Sequence, residues 1–252
     1  MDAALFSPAS LFRSHDSDDD DEDHKGVQQQ QLYVERTHAF PGMDLIIREF
    51  SFHQLNANLL WPGTFAFSEW LFQNQSLLCG RHILELGSGT GALAIFLKRS
   101  FGVDITTSDF DDKEIEENIA HNCRANELAV LPHIRYTWGE MFPTSEPDWD
   151  LIIASDILLY VKQYSNLIKT LSFLLEAYKR KDKKGVANFQ VNQVVTISGK
   201  EVQLQWPLFL MSWRRRIGRE EEALFFTGCE DVGLVTQHVG SRVYGISLKK
   251  DI

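Results

Sequence analysis

The run Glu85-Leu86-Gly87-Ser88-Gly89-Thr90-Gly91 carries the most informative chemistry in the chain. Glycines at 87 and 89 allow a tight turn with no side chain between the backbone and a ligand. Gly91 lets a following helix pack close to the sheet. Two kinds of ligand use such turns. A dinucleotide site shows G-x-G-x-x-G, so that backbone amides at a helix N-terminus face a pyrophosphate. Here the spacing is G-x-G-x-G, and a carboxylate, Glu85, stands just ahead of it. A carboxylate aimed at a diphosphate would be repelled, whereas beside a cationic nucleoside it is attracted. Asp109, 22 residues beyond Gly87, is placed to accept hydrogen bonds from ribose hydroxyls. The chain also carries no Tyr-x-x-x-Lys pair of the kind expected in a short-chain dehydrogenase.

The surrounding pattern supplies elements to hold these residues. HILEL (82–86) reads as a strand, the glycine turn follows, and ALAIFLKRSF reads as a helix. VDITTSD is a second strand that ends at Asp109. DDKEIEENIAHNCRAN opens with acidic residues and carries basic ones later, as a helix dipole prefers. HIRYTW is a third strand, and WDLIIASD (149–156) a fourth, its near-continuous apolar core suiting a sheet buried on both faces. Residues 164–180 show helical apolar periodicity, and 181–205 read as an inserted loop or short hairpin. PLFLMSW, REEEALFFTGCEDVGL, and the pair VTQHV and RVYGISL then give a strand, a helix and two closing strands. Upstream, DLIIREFSFH (44–53) reads as a strand, and WPGTFAFSEWLF as a helix with Phe65, Ser68, Leu71 and Phe72 at helical spacing. Strands alternating with helices imply a mostly parallel, doubly wound α/β sheet. In such a sheet ligands sit at the carboxyl ends of the strands, where Glu85 and Asp109 fall. A site of this charge and placement fits S-adenosylmethionine.

Composition bounds the rest. At 252 residues the chain suits one α/β domain with an appendage. Residues 1–30 combine an acidic-Ser tract with Gln28–Gln31 and read as a disordered, solvating tail, which leaves 31–252 as the domain. Seven acidic residues between Asp16 and Asp23 account for most of the net charge of −10. The body is then only mildly acidic, and no basic face argues for nucleic acid. Arg214–Arg216 and the Lys179–Lys184 cluster read as solvated loop or helix-end residues. No run reaches the roughly 18 apolar residues of a membrane span, and the N-terminus resembles neither a secretory signal nor a transit peptide. Cys79, Cys123 and Cys229 are widely spaced and odd in number, which predicts small buried hydrophobes, no metal site and a reducing compartment. A cytoplasmic or nuclear monomer is expected.

Taken in order, further motifs resemble those of the seven-strand protein-lysine methyltransferases, methyltransferase family 16. ILELGSGTG is similar to the family's first motif and TTSD to its ribose-binding motif. LLWPG (59–63) resembles the upstream Trp-Pro motif, ENIAHN (117–122) the Asn-containing helix, and YTWGE (136–140) the segment whose Trp packs on adenine. ASDILLYVKQYSNLIKTL looks like the motif after the fourth strand. The resemblance implies a seven-stranded Rossmann-like sheet with an N-terminal β extension, S-adenosyl-L-methionine as cofactor, and a protein substrate. It implies cofactor contacts from Trp61, Gly87, Ser88, Gly89, Asp109, Trp138 and Ser155, beside the Glu85 already singled out. Asn118 and Asn122 read as helix or capping residues.

Methyl transfer is an in-line displacement from a sulfonium, so the protein must align the partners and deprotonate the acceptor. For lysine, reaching the neutral amine at pH 7 costs about 4.6 kcal/mol in water. Asp156, ending the fourth strand, is placed to orient an acceptor nitrogen, or else to cap the turn that follows. Lysine-specific members carry an acidic residue, two others and then Tyr. In this chain Leu159 holds that Tyr position and Tyr160 follows one place later. Three readings of the acceptor side stay open: a protein lysine, a small molecule or another protein side chain, and a non-catalytic domain that binds the cofactor or a partner.

Overall fold

A computed structural model describes residues 33–53, 57, 59–180, 192–197 and 199–249. The 1–30 tail and residues 181–191 lie outside the described residues. The elements run β1 (Tyr33–Phe40), β2 (Met43–Phe50), α1 (Pro62–Gln73), β3 (His82–Leu86), α2 (Ala92–Phe101), β4 (Asp104–Asp109), α3 (Lys113–Ala125) and β5 (His133–Arg135). They continue with β6 (Leu151–Ser155), α4 (Tyr164–Glu176), β7 (Asn192–Ile197), β8 (Lys200–Gln205), β9 (Leu208–Ser212), α5 (Arg219–Asp231), β10 (Leu234–Gly240) and β11 (Val243–Leu248).

Seven strands form one sheet in the order β10-β11-β9-β6-β3-β4-β5. The pairs from β5 to β9 are parallel, and β11 and β10 add antiparallel at the far edge. The chain steps outward from β3 to β4 and β5, then returns to place β6 on β3's other side. That reversal opens a crevice at the carboxyl ends of β3 and β6, where doubly wound sheets bind ligands.

The central strands are buried on both faces because successive side chains alternate between two cores. Ile83, Leu151, Ile153, Leu208 and Leu210 pack with Leu71, Ile95 and Ile115 from α1, α2 and α3. Leu84, Ile152, Ala154, Phe209 and Met211 pack on the opposite side with Leu167, Leu171 and Phe225 from α4 and α5. An unbroken apolar run such as LIIA therefore feeds both cores at once. The antiparallel hairpin β7–β8 contributes Val195, Ile197 and Leu204 to the first of them.

Helix ends follow local chemistry. The Asp112 side chain caps α3 by accepting the Glu114 N–H at 2.8 Å, with Glu114 and Glu116 in the first turn and Arg124 in the last. Several elements are shorter than their patterns predict, β2 ending at Phe50 and β6 spanning only Leu151–Ser155, and two are cut off by identifiable contacts. The HIRYTW strand ends at Arg135, because Tyr136 turns inward to pack on Phe142 and bonds Thr170 Oγ1 at 3.1 Å. The helix expected over 164–180 stops at Glu176, where the chain folds back so that Lys179 N–H donates to Pro147 O at 2.7 Å. Cys123 and Cys229 are buried as expected, but Cys79 is exposed in the turn before β3.

The β1–β2 hairpin docks on α3 through three asparagines one helical turn apart. Asn122 Oδ1 accepts the Arg48 N–H at 2.8 Å and Asn126 Oδ1 accepts the Ile46 N–H at 3.0 Å. The amides return the bond, Asn118 and Asn122 to Arg48 O and Asn126 to Ile46 O. The helix thus presents to β2 the alternating donors and acceptors that a neighbouring strand would.

Candidate active site

The glycine turn is shaped by what crowds it. Gly87 has φ +66°, and a Cβ there would lie 2.9 Å from Ile157 Cγ2 and 3.6 Å from Trp138 Cζ2. Gly91 is needed for a different contact than the sheet packing expected of it. Its Cβ would lie 2.9 Å from Ile119 Cγ2 on α3. Ser88 laces the turn to β4: its Oγ donates to Glu85 O at 3.2 Å and accepts the Ser108 N–H at 3.1 Å. Asp109 reaches across from the end of β4, its Oδ2 accepting the Gly89 N–H at 2.6 Å and its Oδ1 the Phe110 N–H at 2.8 Å. Burial raises the Asp109 carboxyl above the usual range, and those two N–H groups oppose the shift.

A pocket opens over this turn, walled by Glu85, Gly87, Ser88, Gly89 and Thr90 on one side. Leu59, Trp61, Thr64 and Ser155 close the other. Of the residues singled out in the sequence, Trp61, Glu85, Gly87, Ser88, Gly89 and Ser155 thus come together. Asp109 joins through Gly89, and Trp138 approaches Gly87 from the opposite core. Glu85 is 2 % exposed, and its Oε2 has no hydrogen-bond partner among the described residues. Burial pushes its carboxyl up to about 8, with the Asp109 charge adding and a Ser88 hydrogen bond opposing. An unsatisfied buried carboxylate oxygen in a pocket wall calls for a cation or a donor from the ligand. That set of acceptors fits a nucleoside bearing an amino-acid ammonium, and opposes a pyrophosphate.

Just beyond β6 Asp156 sits at φ +54°, unusual for a residue with a Cβ, and its side chain is 1 % exposed. Its Oδ2 accepts the Gly63 N–H and its Oδ1 the Arg214 N–H, both at 2.6 Å. A Cβ on Gly63 would fall 2.5 Å from the carboxyl carbon, so only glycine fits there. Asp156 therefore caps α1, whose own N-cap Trp61 has no side-chain oxygen to do so, rather than the turn after itself. Tyr160 is 42 % exposed, immediately before a 3-10 turn at Val161–Gln163, and neither it nor Asp156 lines the pocket.

Several participants gave no local signal in the sequence. Thr64 Oγ1 pairs with Ser155 Oγ at 2.9 Å, tying α1 to β6. Buried Glu49 on β2 accepts the Leu60 N–H at 3.1 Å and pairs with Arg36 and His38, fixing the approach to Trp61. The Arg216 guanidinium lies 4.1 Å from the Trp61 ring centroid and 3.7 Å from Asp156 Oδ2. These contacts join residues far apart in the chain. Among the described residues no cluster of His, Cys, Asp and Glu could hold a metal ion, and no helix is long and apolar enough to cross a membrane.

The same fold occurs in the 16S rRNA N2 G1207 methyltransferase of T. thermophilus, solved with AdoMet and guanosine. It superposes with TM-score 0.55 at 15 % identity, over 87 % of this chain and 51 % of that one. Among curated proteins, the histone-arginine methyltransferase METTL23 of Xenopus laevis is 26 % identical over 119 residues, 46 % of this chain and 51 % of that protein. The protein N-terminal and lysine N-methyltransferase EFM7 of Cryptococcus neoformans is 28 % identical over 145 residues, 52 % of this chain and 47 % of that protein. The electron transfer flavoprotein beta subunit lysine methyltransferase of Danio rerio is 33 % identical over 100 residues, 39 % of this chain and 37 % of that protein. The chain spans about half the length of the first of these relatives. The family model described as lysine methyltransferase matches residues 40–183, more than half of the sequence, and the chain belongs to that family.

Proposed function

We propose that the protein is an S-adenosylmethionine-dependent methyltransferase acting on lysine side chains of a protein partner. The observation that carries the reading is the pocket over the glycine turn, with Glu85 Oε2, which has no hydrogen-bond partner among the described residues, in its wall. Membership of the lysine methyltransferase family supports it. When bound, the cofactor supplies an electrophilic methyl group on a sulfonium. Glu85 holds its amino-acid ammonium, Asp109 accepts its ribose hydroxyls, and Trp138 and Trp61 offer ring faces. Gly87 and Gly89 keep the backbone clear, while Ser88 and Ser155 hold the turn and the β6 end in place.

On the acceptor side, Asp156 fixes the start of α1 and the end of β9 around the reacting position. Tyr160 takes the place of the Tyr that Leu159 displaces. A second reading, an arginine acceptor, is supported by the name of the METTL23 relative. Three free cysteines suit a reducing setting, the cytoplasm or nucleus, and we take the protein to work there as a monomer without nucleic acid or membrane.

Calorimetric titration with S-adenosylhomocysteine, with NAD as control, tests the cofactor. Micromolar binding of the former alone is expected, and no binding by a folded protein would leave a non-catalytic domain. Tritium from labelled cofactor should then enter a protein band of a cell extract. Label confined to the low-mass fraction would move the acceptor to a small molecule.

A further inference from the structure

The three arginines after Trp213 have different attachments. Arg215 makes a two-pronged pair with Glu222 at 2.9 and 2.8 Å, a fixed contact. Arg216 instead lays its guanidinium over Trp61 and faces Asp156 at 3.7 Å, longer than a hydrogen bond. Trp61 lines the pocket beside Ser155, and Asp156 is the next residue along. Both Asp156 oxygens already accept backbone N–H groups, and the Arg216 guanidinium stands beside them without a hydrogen bond of its own to the carboxylate. An indole face beside a buried carboxylate is a receptor for a cation. In this structure the receptor's cation comes from the chain itself.

We propose that Arg216 is an intramolecular competitor of the acceptor, occupying the cation subsite of Trp61 and Asp156 until an acceptor side chain displaces it. The inference rests on the proposed function, in that it takes this end of the pocket to be where the acceptor enters. The contact is suited to exchange. Its ion pair is long, the Arg216 side chain keeps 28 % exposure, and an incoming ammonium or guanidinium brings the same charge to the same partners. A competitor on the same chain lowers apparent acceptor affinity by the fraction of time it leaves the subsite open.

The test uses wild-type protein and Arg216→Ala, each saturated with S-adenosylhomocysteine. Each is titrated with n-butylammonium and n-propylguanidinium, and with n-butanol as an uncharged control. Binding is read from the Trp61 indole N–H resonance, assigned with Trp61→Phe. Arg216→Ala is expected to bind at least one cation about tenfold more tightly than wild type, with no gain for butanol. Which cation gains more distinguishes a lysine-like from an arginine-like acceptor. Equal cation affinities in the two proteins, or an equal gain for butanol, would overturn the proposal. Arg216→Gln, which keeps length and hydrogen bonding without charge, should reproduce the gain if Arg216→Ala melts early. Failure of wild type to bind S-adenosylhomocysteine would bring down the reading of the pocket itself. Binding without the cation gain would bring down the competitor alone.

Discussion

Glu85 has an ordinary carboxyl value near 4.3 when unfolded and one raised to about 8 in the fold. The folded chain therefore holds this proton more tightly than the unfolded one. Its contribution to stability is full below the unfolded value and is lost as pH rises toward about 8. A ligand cation reverses that preference by favouring the ionised form. Below pH 8 binding must release a proton, and S-adenosylhomocysteine affinity should weaken about fivefold between pH 8 and 7 and about tenfold more between pH 7 and 6. Calorimetry in buffers of different ionisation enthalpy should register the released proton, and a dissociation constant flat from pH 6 to 8 would remove Glu85 from the site. Glu85→Gln should bind weakly at every pH, yet melt above the wild type at pH 9 without ligand. This part of the site was legible in the sequence because it is contiguous. A carboxylate, a glycine turn and an Asp at the next strand's end lie within 25 residues. The role of Asp156 was not, since it finds its partners 93 and 58 positions away at Gly63 and Arg214. Only the folded register shows that it caps another element's helix.

Among elements, α3 illustrates a pattern visible in sequence whose purpose was not. Asn118, Asn122 and Asn126 stand four apart on one face, a spacing open to any reader. Their partner strand lies 70 to 80 residues upstream, so the sequence alone suggested only helix or capping roles for Asn118 and Asn122 and none for Asn126. The strands and helices themselves were readable because each buries a regular stripe, as the alternation through β3, β6 and β9 shows. Where an element is ended by a distant contact, as at Tyr136 and Lys179, local pattern overran it. Asn122→Ala removes the partner of the Arg48 N–H and one of the donors to Arg48 O and Thr90 O. Leaving such buried groups short of partners should cost about 3 kcal/mol, as unsatisfied donors and acceptors do. Urea unfolding would measure it, and a loss below about 0.5 kcal/mol would mean that water replaces the amide.

At the scale of the molecule, two cores share one sheet, and the pocket lies at the carboxyl ends of β3 and β6, with Ala92 and Leu93 of the first core in its wall. The β1–β2 hairpin stands outside that sheet, yet it is not a passive cover. Asn122 Nδ2 donates to Thr90 O at 2.9 Å while the same side chain holds Arg48. One amide therefore spans the ligand turn and the hairpin, and whatever orders the one must bias the other to the same degree. Cofactor should consequently appear as slowed deuterium exchange at the Ile46 and Arg48 amides, neither of which lines the pocket. By the same reciprocity, changes on the hairpin's outer edge should be felt as altered cofactor affinity. The N-terminal extension would then act as a remote handle on the site, a place where a partner gripping β1 could tune catalysis without ever approaching the methyl group.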